Sequence, residues 1–238
     1  MEQLQEAPAR EIAWVIADTE TTGLTGPACE IALHEIDPDT LEMLWEVDSL
    51  IDPDCDIEPG AEAIHGITNE MVKHAPTLHE FLTEPGDEFL NGRLAGRDVV
   101  LICHNAPFDV KRLDKIGDIT ASICTLFHSR QLVGTEVVNH KLTTLREHFG
   151  FPANEAHRAL NDVYTTKRLL RELLGRTNRG LREFLATMDV TVHRMPFGKH
   201  RGKLLMNIPK DYLLWMRDLP DCEPNLKKSV IKVLKTLK

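Results

Sequence analysis

The chain has 238 residues, of which 42% are hydrophobic and 27% are charged, a composition that can bury a core and excludes a disordered chain. No apolar run approaches the ~20 residues of a membrane span, and the polar, acidic segment 1–11 lacks the basic start and apolar centre of a secretory signal. We therefore expect a soluble, cytoplasmic protein without membrane contact, and the scattered cysteines, with no CxxC pair, argue against a disulfide framework or a zinc site.

The first part of the chain predicts three antiparallel strands. An apolar run at 13–17 leads into Asp18-Thr19-Glu20 and is typical of a buried strand. Two more strands are predicted over 30–37 and 41–51, with Asp37-Pro38-Asp39 as the turn between them. Because the connections are short, the three strands are expected to pair as a meander.

The middle of the chain predicts helices and two further strands. The predicted elements are helices near 60–65 and 68–74, a helix near 77–92 interrupted at Pro85-Gly86, and strands at 98–103 and 119–124. The helix after the fourth strand is predicted to have Asn105 as its cap and Pro107 in its first turn.

The C-terminal part is predicted to be mainly helical and to divide in two. Helices are predicted near 125–132, 141–149, 155–174 and 181–188. The polar segment 175–180, bounded by glycines, is a candidate linker. Three strands followed by alternating strands and helices predict an α/β fold with a mixed sheet. The predicted division is a domain over 12–175, a linker and helix over 176–190, and a small C-terminal module over 191–238.

Asp18 and Glu20 are candidate metal ligands. They lie two positions apart at the end of a strand, so their side chains point to the same face. Like charges placed in this way repel each other, and a divalent cation relieves the repulsion. Taken alone, such a pair is more often structural or solvated.

Asp109, His157 and Asp162 are further candidates. Asp109 follows the strand at 98–103, where α/β sheets place ligands, although a first helical turn favours negative charge without any ligand. In one continuous helix, His157 and Asp162 would lie about 140° apart. His157 is therefore predicted on the loop or loose first turn that enters the helix, as a proton carrier beside a metal ligand. The alternative is an exposed loop histidine.

Taken together, these groups resemble the DEDD superfamily of 3′→5′ exonucleases, in its histidine-bearing (DEDDh) branch. The matching segments are Asp-Thr-Glu-Thr-Thr-Gly-Leu at 18–24, His-Asn-Ala-Pro-Phe-Asp at 104–109, His-Arg-Ala-Leu-Asn-Asp at 157–162 and Ile-His-Gly-Ile-Thr at 64–68. The resemblance covers roughly residues 12–175. The segment Phe-Gly-Lys-His-Arg-Gly-Lys at 197–203 is similar to the tail of exodeoxyribonuclease X-type proteins.

The resemblance implies a ribonuclease-H-like fold, with a mixed five-stranded sheet flanked by helices. It also implies that Asp18, Glu20, Asp109 and Asp162 hold two metal ions and that His157 is the general base. Four carboxylates without Cys or paired His ligands favour Mg²⁺ or Mn²⁺. The implied reaction is metal-dependent hydrolysis from the 3′ end that releases nucleoside 5′-monophosphates.

The resemblance also implies a pocket for the terminal nucleotide. Its lining residues are Thr21, Thr22, Gly23, Leu24, Ile64 and His65. The alternatives are an ordinary strand-to-loop turn for Gly23 and Leu24, and a loop histidine satisfied by backbone for His65. Lys141 and Arg146 could meet phosphates but are expected to be exposed helix residues.

The expected substrate is DNA with single-stranded or frayed ends. An RNA 3′ exonuclease is the alternative, because motifs that read phosphates and sugars do not separate the two polymers. A non-catalytic nucleic-acid-binding module on the same fold is a second alternative, and the presence of all five catalytic positions counts against it.

The C-terminal segment has a charge opposite to that of the whole chain. Residues 190–238 hold eleven Lys or Arg and four Asp or Glu, a balance of +7 within a chain of net charge −9. This segment is predicted to contact nucleic acid or a partner protein, with a solvated helix as the alternative. The sequence does not set the oligomeric state.

Overall fold

A mixed sheet of six strands, in the order β3-β2-β1-β4-β5-β6, organises the described part of the chain. The computed structural model describes residues 10–84, 90, 92–153, 157–187, 191–195, 198–219, 222 and 224–237. The strands are β1 Ile12–Thr21, β2 Ala28–Ile36, β3 Met43–Leu50, β4 Asp98–Cys103, β5 Asp118–Cys124 and β6 Thr191–Val192. The helices are α1 Pro59–His65, α2 Asn69–Val72, α3 Leu78–Thr83, α4 Ala106–Val110, α5 Thr125–Leu132, α6 Leu142–His148, α7 Ala159–Thr177, α8 Leu181–Thr187, α9 Lys210–Asp218 and α10 Pro224–Thr236.

The sheet contains the five predicted strands and one that was not predicted. β1, β2 and β3 form the predicted antiparallel meander, and β1, β4 and β5 are parallel neighbours. The sixth strand pairs antiparallel with β5, with Ser122 opposite Thr191. The predicted number of five strands is therefore one too low. The additional strand, β6, has only two residues, which are too few to show an alternating pattern in the sequence.

β1 lies in the middle of the sheet and is buried on both faces. Ala13, Val15 and Ala17 belong to one apolar core, whereas Trp14 and Ile16 belong to another core that includes residues of α7. Strand residues two apart share a face. Asp18 and Glu20 therefore continue the row of Trp14 and Ile16 toward α7, at the end of the strand.

The helices match the prediction in position more closely than in length. α3 ends at Thr83, and Glu84 already has extended backbone, so the helix predicted near 77–92 is shorter than expected. Residues 85–89 and 91 lie outside the described residues. α7 begins at Ala159, four residues later than predicted, and residues 155 and 156 of the helix predicted over 155–174 also lie outside the described residues. No helix in the described ranges is both long enough and apolar enough to cross a membrane.

The region predicted as a linker is largely structured. α7 continues through Gly175 to Thr177 and ends at Asn178 in a left-handed conformation. After it, α8 buries Leu181 and Phe184 in the same core as Trp14. This segment therefore covers one face of the sheet. The division into 12–175, 176–190 and 191–238 stays a prediction.

The C-terminal module (residues 191–238) has an apolar cluster of its own. The fully buried members are Met195, Leu205, Ile208, Leu213, Met216, Leu226 and Val230. The backbone N–H of Val192 donates to the Ser229 hydroxyl of α10 at 2.9 Å. The strand β6 is thus held by both the sheet and the module.

Candidate active site

Carboxylates from three elements meet at one end of the sheet. Asp18 and Glu20 come from β1, Asp109 from α4 and Asp162 from α7. Possible ligand atoms of Glu20, His157 and Asp162 all lie within 4.8 Å of one another. Asp18 lines one cavity together with His157 and Asp162. The structure therefore brings together residues that are up to 144 positions apart in the chain.

Asp109 is fixed by its helix and by β1. Its side chain is buried, and the Thr19 hydroxyl donates to its Oδ1 at 2.9 Å. The helix starts after Asn105 and carries Pro107 in its first turn, as predicted. The predicted side-chain cap is wrong, because Asn105 adopts a left-handed conformation with φ 80° and makes no capping bond. Asparagine tolerates this conformation better than most residues.

The four carboxylates repel one another in a poorly solvated site. Burial, followed by the charges of Asp109, Asp162 and Glu20, raises the pKa of Asp18 well above its usual value. Burial and the charge of Asp162 raise the pKa of Glu20 to about 8. Burial raises the pKa of Asp109 to about 7 and also raises the pKa of Asp162. Such a cluster needs compensating positive charge near neutral pH, and its all-oxygen donors fit hard divalent cations.

His157 lies outside α7, as predicted. It stands two residues before the helix in a left-handed conformation with φ 63°, which histidine adopts more readily than most residues. Its backbone N–H donates to Asp162 Oδ2 at 3.2 Å. The exposed ring therefore stands on a loop whose backbone is tied to the carboxylate of the helix.

Glu30 is a site residue that the sequence reasoning missed. It lies opposite Glu20 in the β1–β2 register and is only 1% exposed. Its carboxylate accepts hydrogen bonds from Arg158 Nε at 3.0 Å and Nη2 at 2.6 Å, and from the Ala159 backbone N–H at 2.8 Å. Glu30 thus fixes the start of α7 between His157 and Asp162. The available signal was a glutamate inside the apolar strand Ala28–Ile36.

A cavity of about 600 Å³ opens beside these carboxylates. Arg130 and Lys141 line it together with Asp18, His157 and Asp162. Lys141 is exposed, as expected, and its place on the cavity wall agrees with the alternative that it could meet phosphates, whereas Arg130 was not singled out from the sequence. The two cations place positive charge beside the acidic cluster, as a phosphate group would require.

His104 also lines this cavity but is fixed as a neutral ring. Its Nε2 donates to the His140 carbonyl at 2.9 Å, and its Nδ1 lies 3.0 Å from the Thr125 hydroxyl. Burial lowers the pKa of His104 to about 4. Because its ring nitrogens have partners inside the chain, His104 supports the cavity wall.

Leu24 and Ile64 are exposed on connected segments near the end of β1. Their exposed fractions are 87% and 61%. The loop that carries Leu24 is held by Arg112, whose Nη2 donates to the Leu24 carbonyl at 2.8 Å. The Glu58 backbone N–H, at the start of α1, donates to the Thr22 carbonyl at 2.8 Å. Both apolar side chains therefore border the segment that follows Glu20.

The neighbouring polar residues are largely internal. Thr21, Thr22 and His65 are buried. The ring of His65 accepts from the Ile67 N–H at 3.0 Å, and its Nε2 donates to the Thr21 carbonyl at 3.2 Å. The backbone-satisfied alternative for His65 therefore agrees with the geometry.

Gly23 has a packing role in addition to any substrate contact. A Cβ at this position would overlap the Glu58 carboxylate. Glycine at position 23 therefore leaves room for the Glu58 side chain of the same protein. Any approach of a nucleotide to Gly23 stays a prediction.

Comparisons with known proteins agree with this geometry. An exonuclease family model matches residues 15–170. Exodeoxyribonuclease 10 of Escherichia coli (strain K12) is 31% identical over 225 residues, which cover 89% of this chain and 94% of that protein. The chain belongs to the exonuclease family. The resemblance to the DEDD superfamily is confirmed, and membership of this family makes the protein a nuclease of a generally metal-dependent group.

Solved structures of other family members confirm the predicted ribonuclease-H-like fold. Exonuclease X in complex with 5′ overhanging duplex DNA matches with a TM-score of 0.56 and 28% identity, over 71% of this chain and 95% of that one. The nuclease domain of 3′hExo, a DEDDh family member bound to rAMP, matches with a TM-score of 0.54 and 18% identity, over 68% and 92%. A further family model, named for a quorum-sensing-regulated virulence factor, matches residues 185–223.

Proposed function

We propose that this family member is a 3′→5′ exonuclease that releases nucleoside 5′-monophosphates from single-stranded or frayed DNA ends. The observation that carries the proposal is the meeting of Asp18, Glu20, Asp109 and Asp162 at one end of the sheet, with His157 beside them. The similar Escherichia coli protein is an exodeoxyribonuclease, and the solved Exonuclease X holds duplex DNA.

In this proposal, Asp18, Glu20, Asp109 and Asp162 hold two ions, Mg²⁺ or Mn²⁺. When bound, such ions lower the pKa of a water molecule and neutralise the charge that develops on the scissile phosphate. The strand β1 and the helices α4 and α7 hold these carboxylates in place and so would determine where the ions bind. Thr19 fixes Asp109, and Glu30 fixes the segment that precedes Asp162.

His157 acts as the general base. Its exposed ring takes the proton from the attacking water, since imidazole is the side chain that most often serves as a general base. Its backbone N–H donates to Asp162, and its ring lies within 4.8 Å of the Glu20 and Asp162 carboxylates. The proton therefore leaves toward solvent, through a side chain on an exposed loop.

The substrate enters with its terminal base between Leu24 and Ile64. Thr21, Thr22 and Gly23 shape the floor of this pocket, and His65 contributes by fixing the Thr21 carbonyl. Phosphates of the strand meet Arg130 and Lys141 along the cavity wall. Because such a pocket receives one unpaired terminus, a paired end must fray before it is cut.

Labelled substrates test the proposal directly. With Mg²⁺, single-stranded DNA labelled at its 3′ end should lose the label at once as a mononucleotide, whereas the 5′-labelled strand should shorten stepwise. Asp162→Ala should abolish both reactions, because it removes one of the clustered carboxylates. Duplex DNA and RNA of the same sequence complete the comparison.

Each contrary outcome of this assay has a defined meaning. Undiminished activity of Asp162→Ala would remove the two-metal assignment. Faster degradation of RNA would favour the RNA exonuclease. A protein that binds single strands and never cuts them, even with Mn²⁺, would favour the binding-module alternative.

Lys141→Ala is expected to weaken substrate binding more than turnover. The lysine lies on the cavity wall, so we expect KM to rise about tenfold, equivalent to about 1.4 kcal/mol, with kcat nearly unchanged. Steady-state kinetics on a single-stranded oligonucleotide measure this. Lys115→Ala, an exposed lysine that does not line this cavity, is the control. An equal loss in kcat and kcat/KM would contradict a ground-state phosphate contact.

A further inference from the structure

The basic turn of the C-terminal module packs against α9. The described part of this turn, residues 198–203, exposes Lys199, Arg201 and Lys203. Gly198 has φ 71°, and a Cβ at this position would lie 3.4 Å from the Tyr212 hydroxyl. Glycine permits the left-handed backbone of this turn, and the turn places Lys199 beside the aromatic side chain of Tyr212 in α9.

The turn and the helix together form a continuous aromatic cluster. The rings of His200 and Tyr212 meet edge to face with centroids 4.5 Å apart, and Lys199 Nζ lies 5.0 Å from the Tyr212 centroid. The next ring is Trp215, whose centroid is 5.1 Å from that of Tyr212. Lys199, His200, Tyr212 and Trp215, with Arg201 and Lys203 of the same turn, are called here the Trp215 surface.

Trp215 stands on the outer side of this cluster. Its exposed fraction is 53%, whereas Leu213 and Met216 of the same helix are buried in the module core. A single exposed apolar side chain is common and needs no partner. Here, however, the exposed ring continues a series of rings in contact, and the turn that packs against this series exposes three cations. Flat aromatic faces bordered by positive charge are the features that bind single-stranded nucleic acid.

The module also adjoins the helix that carries Asp109. Ile231 and Lys232 of α10 line a cavity of about 380 Å³ together with Pro107, which lies in the first turn of α4. The cation of Lys232 therefore lies near the start of the helix that carries Asp109. The positive balance of +7 over residues 190–238, in a chain of net charge −9, favours a polyanion as the partner.

We propose that the Trp215 surface binds single-stranded nucleic acid, with a base stacked on Trp215 and phosphates held by the neighbouring cations. This inference rests on the proposed function for the identity of the polymer and adds a second binding site outside the active site. Such a site retains the strand between successive cuts. It therefore increases the number of nucleotides removed in each encounter.

Substitutions in the full-length chain test this surface. Trp215→Ala should weaken the affinity for a fluorescein-labelled dT20, measured in EDTA so that nothing is cut, by about 5- to 100-fold. The double variant Lys199→Gln/Lys203→Gln should also weaken it and reduce its salt dependence. Leu44→Ala, which removes a similarly exposed apolar side chain from β3, is the matched control and should change nothing.

Tryptophan emission gives an independent readout. The chain has three tryptophans; Trp14 is 2% exposed and Trp45 is half-buried, so Trp215 is the accessible one. Adding dT20 should quench the emission of the unmodified protein, and Trp215→Phe should lose most of this quenching. The phenylalanine variant also keeps the test valid if the alanine variant folds poorly.

A small substrate separates this inference from the proposed function. Hydrolysis of thymidine 5′-monophosphate p-nitrophenyl ester, with Mn²⁺, reports the active site alone and should be equal in all these variants. Absence of hydrolysis in every protein would count against the proposed function and leave the DNA affinities as the test of the surface. Unchanged dT20 affinity in both the Trp215 and the lysine variants would overturn the inference and point to a protein partner.

Discussion

Asp18→Asn is expected to abolish catalysis while making the metal-free protein more stable. We expect kcat to fall by about 10³-fold or more, as when a central catalytic group is removed. The stability should rise because Asp18 lies among the charges of Asp109, Asp162 and Glu20 with little solvent to screen them. Removing one charge should raise the free energy of unfolding by about 1–3 kcal/mol, or Tm by roughly 3–10 °C.

The same repulsion predicts how the metal-free protein responds to pH. The pKa of Glu20 is about 8 in the folded state, above its usual value of 4.5. The folded protein therefore binds more protons than the unfolded chain between these values, and its stability falls as pH rises through that window. In EDTA, Tm should be higher at pH 5 than at pH 8, and the difference should be smaller in Asp18→Asn.

Thermal unfolding with and without Mn²⁺ measures both effects. Mn²⁺ should raise the Tm of the unmodified protein at pH 8 by more than it raises that of Asp18→Asn, because the variant lacks one ligand. Asp114→Asn, at an exposed aspartate outside the carboxylate cluster, should behave like the unmodified protein. A lower Tm for Asp18→Asn in EDTA would show that the carboxylates do not repel as described.

Glu30→Gln is expected to lower both stability and turnover. The buried carboxylate holds Arg158 and the first backbone N–H of α7, so its loss leaves these donors without their charged acceptor. Because the Arg158 side chain is partly exposed, we expect the loss to cost about 1–3 kcal/mol, as for a buried polar group that loses its partner. Because the bond fixes the start of α7, we also expect kcat to fall by about 10- to 100-fold, as for other residues that orient metal ligands.

The split between KM and kcat distinguishes a positioning residue from a purely structural one. At a temperature where Glu30→Gln remains folded, KM should stay near its original value while kcat falls. Arg158→Lys keeps a positive charge but loses the two-pronged contact, so it should retain more activity than Arg158→Ala. Unchanged kcat in a folded Glu30→Gln protein would limit the role of Glu30 to stability.

Local geometry predicted how the main candidate residues are placed on their elements, whereas their choice as one site came from the resemblance to the superfamily. The two-residue spacing of Asp18 and Glu20 placed both on one face of a strand, and the five-residue spacing placed His157 outside the helix of Asp162. Both expectations agree with the structure because they depend on the period of one element. The prediction of Asn105 as a helix start was correct in position for the same reason.

Contacts between distant parts of the chain could not be predicted from such local patterns. Glu30 meets Ala159 across 129 positions, and nothing in the strand Ala28–Ile36 indicates which helix its glutamate will reach. Lys141 is exposed, as expected, and only the arrangement of α5, α6 and α7 shows that it also borders the cavity with Asp18. Similarly, the two hydrogen bonds of His65 depend on where α1 packs.

The burial of α8 sets where this protein can be shortened. A chain cut at 175, where the similarity to the superfamily motifs ends, would lack Leu181 and Phe184 and leave a hollow over Trp14. Removal of Thr191 and Val192 would also uncover the outer edge of β5, and open strand edges promote aggregation. A catalytic fragment made for crystallisation or assay should therefore retain α8 and carry a protected edge in place of β6.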